Sequence, residues 1–109
     1  LEQVFRGLGE EPERKACEGI KGLLEEGKEF LEAEGDKDAI DAALIGAAQK
    51  VEHYEIAAYG SARTFAEKLD EIAAADLLQE TLNEEGMTDQ HLTRLALRKV
   101  NAEAMAVRA

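Results

Sequence analysis

The sequence predicts an all-α fold, and three observations support this prediction. Residues that favour helix, chiefly Ala, Glu, Leu and Lys, dominate the 109 residues. The chain has one Pro and no Trp, and its single Pro lies near the start. Apolar residues recur at helical spacing over long stretches that contain no Pro. We therefore predict helices throughout, within a single domain that covers residues 1–109.

The periodicity divides the chain into four helices. The first lacks an N-cap in front of it, so we expect it to be the end of a helix that begins earlier. Gly9 is a candidate C-cap for this first helix, and Asp36 is a candidate N-cap for the third. The predicted helices cover Leu1–Leu8, Glu13–Ala33, Lys37–Leu69, and a stretch from Asp70 to beyond Leu97.

The charge and the cysteine content exclude several classes of protein. The net charge of −11 disfavours binding to nucleic acid and to anionic membranes. No apolar run reaches transmembrane length and no signal peptide opens the chain, so we expect a cytoplasmic protein. Cys17 is the only cysteine, which rules out an intrachain disulfide, and we interpret it as a small packed side chain.

The third helix carries a carboxylate on its apolar face. At 100° per residue, Glu55 falls in the middle of this face and Glu52 falls on its shoulder. His53 falls on the opposite side, so the periodicity does not favour it as a metal ligand. The apolar face consists of Leu44, Ala48, Val51, Ala58, Ala62 and Ala66.

The fourth helix repeats this arrangement. Glu85 falls in the middle of its apolar face, and Glu84 and Asp89 lie on the two shoulders. A small change in helix phase would exchange Glu84 and Glu85, so either could point inward. The face is defined by Ala74, Leu78, Thr81, Leu92 and Ala96.

A buried carboxylate is costly, so it must take up a proton, pair with a cation or bind a metal. Glutamates that point inward from several helices are the ligands of di-iron and di-manganese sites in four-helix bundles. The alternative is structural: each Glu pairs with Lys or Arg, or accepts a hydrogen bond from Tyr. The residues alone leave both alternatives open.

Four stretches of the chain are similar to one known family. The most specific is AAQKVEHYEIAAYG at Ala47–Gly60, and the others are Leu1–Phe5, Cys17–Leu23 and Ala74–Glu85. Together they resemble the YciF-like family of bacterial stress proteins, nearly throughout the chain to about Leu97.

This resemblance implies a ferritin-like four-helix bundle, similar to rubrerythrins and other di-iron carboxylate proteins. It implies that Glu52, Glu55, and Glu85 or Glu84 face a metal pair, either iron or manganese. Family members have about two more helices before the position of Leu1, so we expect this chain to lack most of the N-terminal helices. The Glu-x-x-His pattern of typical di-iron bundles is replaced here by Glu52-x-x-Glu55.

Two functions follow from these observations. The first is a ferritin-like stress protein that holds a carboxylate di-metal site and acts on oxygen or peroxide. The second is a metal-free helical stress protein that acts through oligomerisation or binding to a partner. Both predict a homo-oligomer, most simply a dimer, because a partial bundle leaves apolar surface uncovered.

Overall fold

A computed structural model describes residues 1–13 and 15–106. Within these residues every regular element is helical, which confirms the all-α prediction. The elements are α1 (Glu2–Gly7), α2 (Glu18–Glu32), α3 (Lys37–Lys68), α4 (Ile72–Leu95), a π-helical turn (Ala96–Val100) and α5 (Asn101–Ala106).

The centre of the molecule is a pair of long antiparallel helices, α3 and α4, joined by a short turn. Helix α1 packs against α4, and α2 packs against α3. The π-helical turn and α5 prolong α4 and contact α3 again. This arrangement is a helical bundle, and the interface between α3 and α4 is its most extensive.

The core between these helices is built from small side chains. Ala66 packs with Ala74, Ala75 and Leu78, and Val4 of α1 covers this cluster from one side. Alanines allow the backbones of α3 and α4 to approach closely, because a methyl group occupies little space between two helices. The buried residues in the described part of the chain are Ala47, Ala66, Ala74, Ala75, Leu78 and Ala96.

Local chemistry explains where the helices begin and end. The Asp36 carboxylate accepts a hydrogen bond from the Ala39 amide at 2.9 Å, which confirms the predicted N-cap of α3. Gly9 adopts a φ of 75°, and the Glu10 amide donates to the Phe5 carbonyl at 2.9 Å. Gly9 therefore ends α1 in a Schellman motif.

Two expectations about the helices are wrong. Helix α2 begins at Glu18 and not at Glu13: Lys15, Ala16 and Cys17 are exposed and non-helical, and Cys17 is extended as the N-cap. Ala58, predicted on the apolar face of α3, is exposed, and Ala47 is buried instead. The buried face of α3 therefore differs from the face that a helical wheel predicts, because α3 packs against both α2 and α4.

Candidate metal centre

Three glutamates meet at the α3–α4 interface. Glu52 and Glu55 lie one turn apart on α3, and Glu85 faces them from α4. Each offers one carboxylate oxygen, and these three oxygens all lie within 4.8 Å of one another. The spacing of three residues puts two carboxylates on one face of a helix. The antiparallel packing of α4 then brings in the third.

The environment of this cluster is unfavourable for free carboxylates. All three side chains are half-buried. Glu52 Oε2 is buried and has no hydrogen-bond partner. Among residues 1–13 and 15–106, no Lys or Arg forms an ion pair with any of the three. The structural alternative in which a glutamate pairs with Lys or Arg therefore has no support within the described residues.

The proximity of the acids changes how they bind protons. Burial raises the pKa of Glu55, and a hydrogen bond with Glu85 and its charge raise it further. A hydrogen bond with Glu52 is the main cause that raises the pKa of Glu85, followed by burial. Burial also raises the pKa of Tyr59, with smaller contributions from the charges of Glu55 and Glu85. Glu55 and Glu85 therefore keep their protons to a higher pH than isolated glutamates do.

The structure separates the two candidate glutamates of α4. Glu85 joins the cluster, whereas Glu84 is exposed and lines a groove between α1 and α4 together with Glu2 and Arg6. Since the two residues are 100° apart on a helix, only one of them can face α3. Of the four sequence-predicted site residues, the structure brings Glu52, Glu55 and Glu85 together and leaves Glu84 outside.

The donor set fits a hard divalent cation. Carboxylate oxygens are suitable ligands for magnesium and manganese, and also for iron when combined with imidazole. A divalent cation would offset two of the three negative charges and give Glu52 Oε2 the partner that it lacks. The three glutamates supply only one side of a coordination sphere, since all of them come from α3 and α4.

Tyr54 points away from the glutamates. Its hydroxyl lies 3.1 Å from the Cys17 thiol, at the start of α2. Cys17 is exposed, so the interpretation of Cys17 as a packed side chain is wrong. The hydrogen bond with Tyr54 is the main cause that lowers the pKa of the Cys17 thiol. Of the two tyrosines near the glutamates in sequence, only Tyr59 senses their charge.

A second polar cluster was missed by the sequence reasoning. His53 Nε2 lies 3.0 Å from Asp89 Oδ1, and Gln49 Nε2 donates to Asp89 at 3.2 Å and to Thr93 at 2.7 Å. The wheel correctly puts His53 on an exposed face of α3, but it cannot show that α4 reaches this face. Polar residues four apart on each helix, Gln49 with His53 and Asp89 with Thr93, were the available signal.

Comparison with known proteins identifies the family. A family model described as "Domain of unknown function (DUF892)" matches residues 1–105. The chain belongs to the DUF892 family. Protein YciF of Escherichia coli (strain K12) is 53% identical over 91 residues, which are 84% of this chain and 55% of YciF. The resemblance to the YciF-like family is thereby confirmed.

Solved structures of relatives have the same fold. The crystal structure of the E. coli stress protein YciF matches with a TM-score of 0.86 and 48% identity, over 92% of this chain and 64% of that chain. YcfI of Rhodopseudomonas palustris matches with a TM-score of 0.81 and 40% identity, over 84% of this chain and 59% of that one. This DUF892 chain spans about half the length of the curated relative and less than two thirds of these structures.

Within the described residues of this DUF892 chain, no helix is both long enough and apolar enough to cross a membrane.

Proposed function

We propose that this chain is part of a cytoplasmic, ferritin-like stress protein that holds a divalent metal centre, with iron or manganese as the metal. Glu52, Glu55 and Glu85 would be the ligands supplied by α3 and α4. The observation that carries the proposal is the convergence of three half-buried carboxylate oxygens within 4.8 Å, with no cationic side chain paired to them among the described residues.

A bound iron or manganese ion would supply redox chemistry with oxygen or peroxide. The residues of the chain would bind and orient the ion and hold protons beside it. Glu55 and Glu85 have raised pKa values, so binding of the cation would release protons over a wider pH range than it would from isolated glutamates. Tyr59 lies one turn beyond Glu55 and is half-buried, which would limit the access of water on that side.

The metal content per chain tests this proposal. The untagged protein is purified without chelator and compared with Glu55→Gln, and Glu84→Gln is the matched control because Glu84 lies exposed on α4. We expect iron or manganese near stoichiometry in the parent and in Glu84→Gln, and a large loss in Glu55→Gln. An equal metal content in all three proteins, or none in the parent, would refute the proposal.

The second candidate function is a metal-free protein that acts by association. Large apolar side chains on the outer surfaces of the helices favour it, among them Leu31 at 70% exposed and Phe65 at 66% exposed. Glu55→Leu separates the two functions. In the metal-free protein this change leaves the fold intact or stabilises it, because an apolar residue replaces a buried acid. In the metalloprotein the same change abolishes metal binding.

A further inference from the structure

We propose that the groove between α3 and α4 lined by Gln49, His53, Asp89 and Thr93 is a separate binding site for a divalent transition-metal ion. We call it the outer groove. It goes beyond the proposed function, and it does not require the glutamate cluster to bind metal. Its residues come from the same two helices: Gln49 and Asp89 lie about one turn from Glu52 and Glu85, and His53 follows Glu52 directly on another face of α3.

The donor atoms of the outer groove already lie close together. His53 Nε2 and Asp89 Oδ1 are 3.0 Å apart. Two ligand atoms at this separation, each about 2.1 Å from one ion, subtend about 90° at the ion. That is the angle between neighbouring ligands in octahedral coordination. The separation of the two atoms is therefore compatible with both acting as ligands of one ion.

Two further side chains complete the set. Gln49 Nε2 lies 3.2 Å from Asp89 Oδ1 and 2.7 Å from Thr93 Oγ1. A half-turn of the Gln49 amide exchanges its nitrogen for its carbonyl oxygen, which is a metal ligand. The outer groove is then lined by an imidazole, a carboxylate, an amide oxygen and a hydroxyl. The imidazole favours a transition metal over magnesium or calcium.

The shape and charge of the groove suit a small cation. The groove has a volume of about 390 Å³ and opens to solvent. The Asp89 side chain is only 22% exposed, so its position is fixed by packing, whereas His53 is 67% exposed and can be reached by an ion. Lys50 also lines the groove, but its Nζ is 3.2 Å from Glu26 Oε2 and so is held toward α2.

The test removes the glutamate cluster first. In a Glu52→Gln, Glu55→Gln and Glu85→Gln triple variant, Co²⁺ is titrated and followed by its visible spectrum and by calorimetry. We expect one Co²⁺ per chain, and an affinity at least about tenfold weaker when His53→Gln is added. His91→Gln is the matched control, because His91 is the other histidine and lies exposed on α4. It should leave the affinity unchanged.

The outcomes separate this site from the glutamate centre. Equal Co²⁺ affinity with and without His53→Gln, or no Co²⁺ binding in the triple variant, would overturn the outer groove whatever the glutamates do. If the triple variant fails to fold, a second measurement on the unaltered protein tests the site. In the unaltered protein, calorimetry counts the Co²⁺ ions bound per chain, and His53→Gln should remove one of them whereas His91→Gln should remove none. An equal number of bound ions in all three proteins would count against the site.

Discussion

Glu55 and Glu85 meet across the α3–α4 interface in surroundings that favour their protonated forms. Their pKa values are raised above the ordinary value of 4.5, by burial first for Glu55 and by the hydrogen bond with Glu52 first for Glu85. The unfolded chain binds fewer protons than the folded chain wherever a folded-state pKa is raised. Stability from these groups is therefore complete below the ordinary pKa and is lost as the pH rises through the raised values.

This linkage predicts how the metal-free protein responds to pH. With chelator present, we expect the free energy of unfolding to fall as the pH rises from 4.5 through the raised pKa values of the two acids. Glu85→Gln should flatten this decline, because an amide does not ionise. Denaturant unfolding at several pH values measures the effect. Glu84→Gln is the control, and a decline as steep in Glu85→Gln as in Glu84→Gln would contradict the prediction.

The sequence reveals part of the site at this scale. Glu55 and Glu85 could be found because each interrupts an apolar face, which a helical wheel detects within a single helix. Whether Glu84 or Glu85 faces α3 depends on how α4 is rotated about its own axis. Packing against α3 fixes this rotation. The contact between His53 and Asp89 could not be found for the same reason, since it joins two helices that the wheel treats separately.

At the scale of the elements, the contact between α2 and α3 depends on Gly19, which has no side chain. A Cβ at Gly19 would lie 2.6 Å from Tyr54 Cε2 and 2.6 Å from its hydroxyl oxygen. Gly19 therefore leaves the space in which the Tyr54 ring reaches the Cys17 thiol. At Gly22, one turn further along α2, a Cβ would meet no atom within 4 Å. Gly19 and Gly22 are therefore a matched pair of positions at which to compare substitution by alanine.

Alanine at these two positions should have different effects. Gly22→Ala should stabilise the protein by about 0.5–1 kcal/mol, because Ala favours helix over Gly. Gly19→Ala should be less stable than Gly22→Ala, because the new methyl group displaces the Tyr54 ring. It should also slow the reaction of Cys17 with a disulfide reagent, since the hydrogen bond that lowers its pKa is lost. Equal stability and equal thiol reactivity in the two variants would refute this account.

The turn between α3 and α4 contains a strained residue. Asp70 has a φ of 60°, and the Glu71 amide donates to the Ala66 carbonyl at 2.8 Å, so α3 ends in a Schellman motif. Glycine is the residue that this position favours, because a Cβ is strained at positive φ. Asp70→Gly should therefore raise the free energy of unfolding, by up to about 1 kcal/mol.

Asp70→Ala is the control for that change. Alanine keeps the Cβ and loses the side-chain oxygens that help aspartate to adopt this conformation, so it should bring no stabilisation. Thermal or denaturant unfolding of the three proteins ranks them. A ranking with Ala above Gly would show that the conformation of residue 70 does not limit the stability of the turn.

The helix boundaries show what local sequence can predict. The ends of α3 agree with the prediction to one residue, because Asp36 is a strong N-cap and the apolar periodicity continues to the turn. Helix propensity alone predicts too early a start for α2, because the charged residues after Pro12 favour helix. In the structure, α2 instead begins where Tyr54 of α3 contacts Cys17. Helix propensity is a local property and does not reflect such a tertiary contact.

At the scale of the whole molecule, the chain is long and thin. Its extents are 57 × 26 × 17 Å and its radius of gyration is 17.6 Å, against about 13 Å for a compact domain of this length. In the described part of the chain, five of the six buried apolar side chains are alanines. A core this small stabilises a single chain weakly, because the free energy of burial scales with the apolar area removed from water.

We propose that chains associate to cover this apolar surface, as a dimer in the simplest case. Among the side chains more than half exposed are Leu24, Leu31, Phe65, Leu69, Ile72 and Met87. If folding and association are coupled, the unfolding midpoint must rise with chain concentration, since mass action favours the associated folded state. For a dimer, each tenfold increase in concentration adds about 1.4 kcal/mol per mole of dimer.

Denaturant unfolding at micromolar and at hundred-micromolar chain concentration measures this dependence, and sedimentation equilibrium gives the mass at each concentration. The triple variant that removes the carboxylates of Glu52, Glu55 and Glu85 is the control, because it abolishes the proposed metal centre and leaves the apolar surface unchanged. Its midpoint should show the same dependence on concentration. A midpoint independent of concentration, with the mass of a single 11.9 kDa chain, would mean that the small core between α3 and α4 suffices for folding.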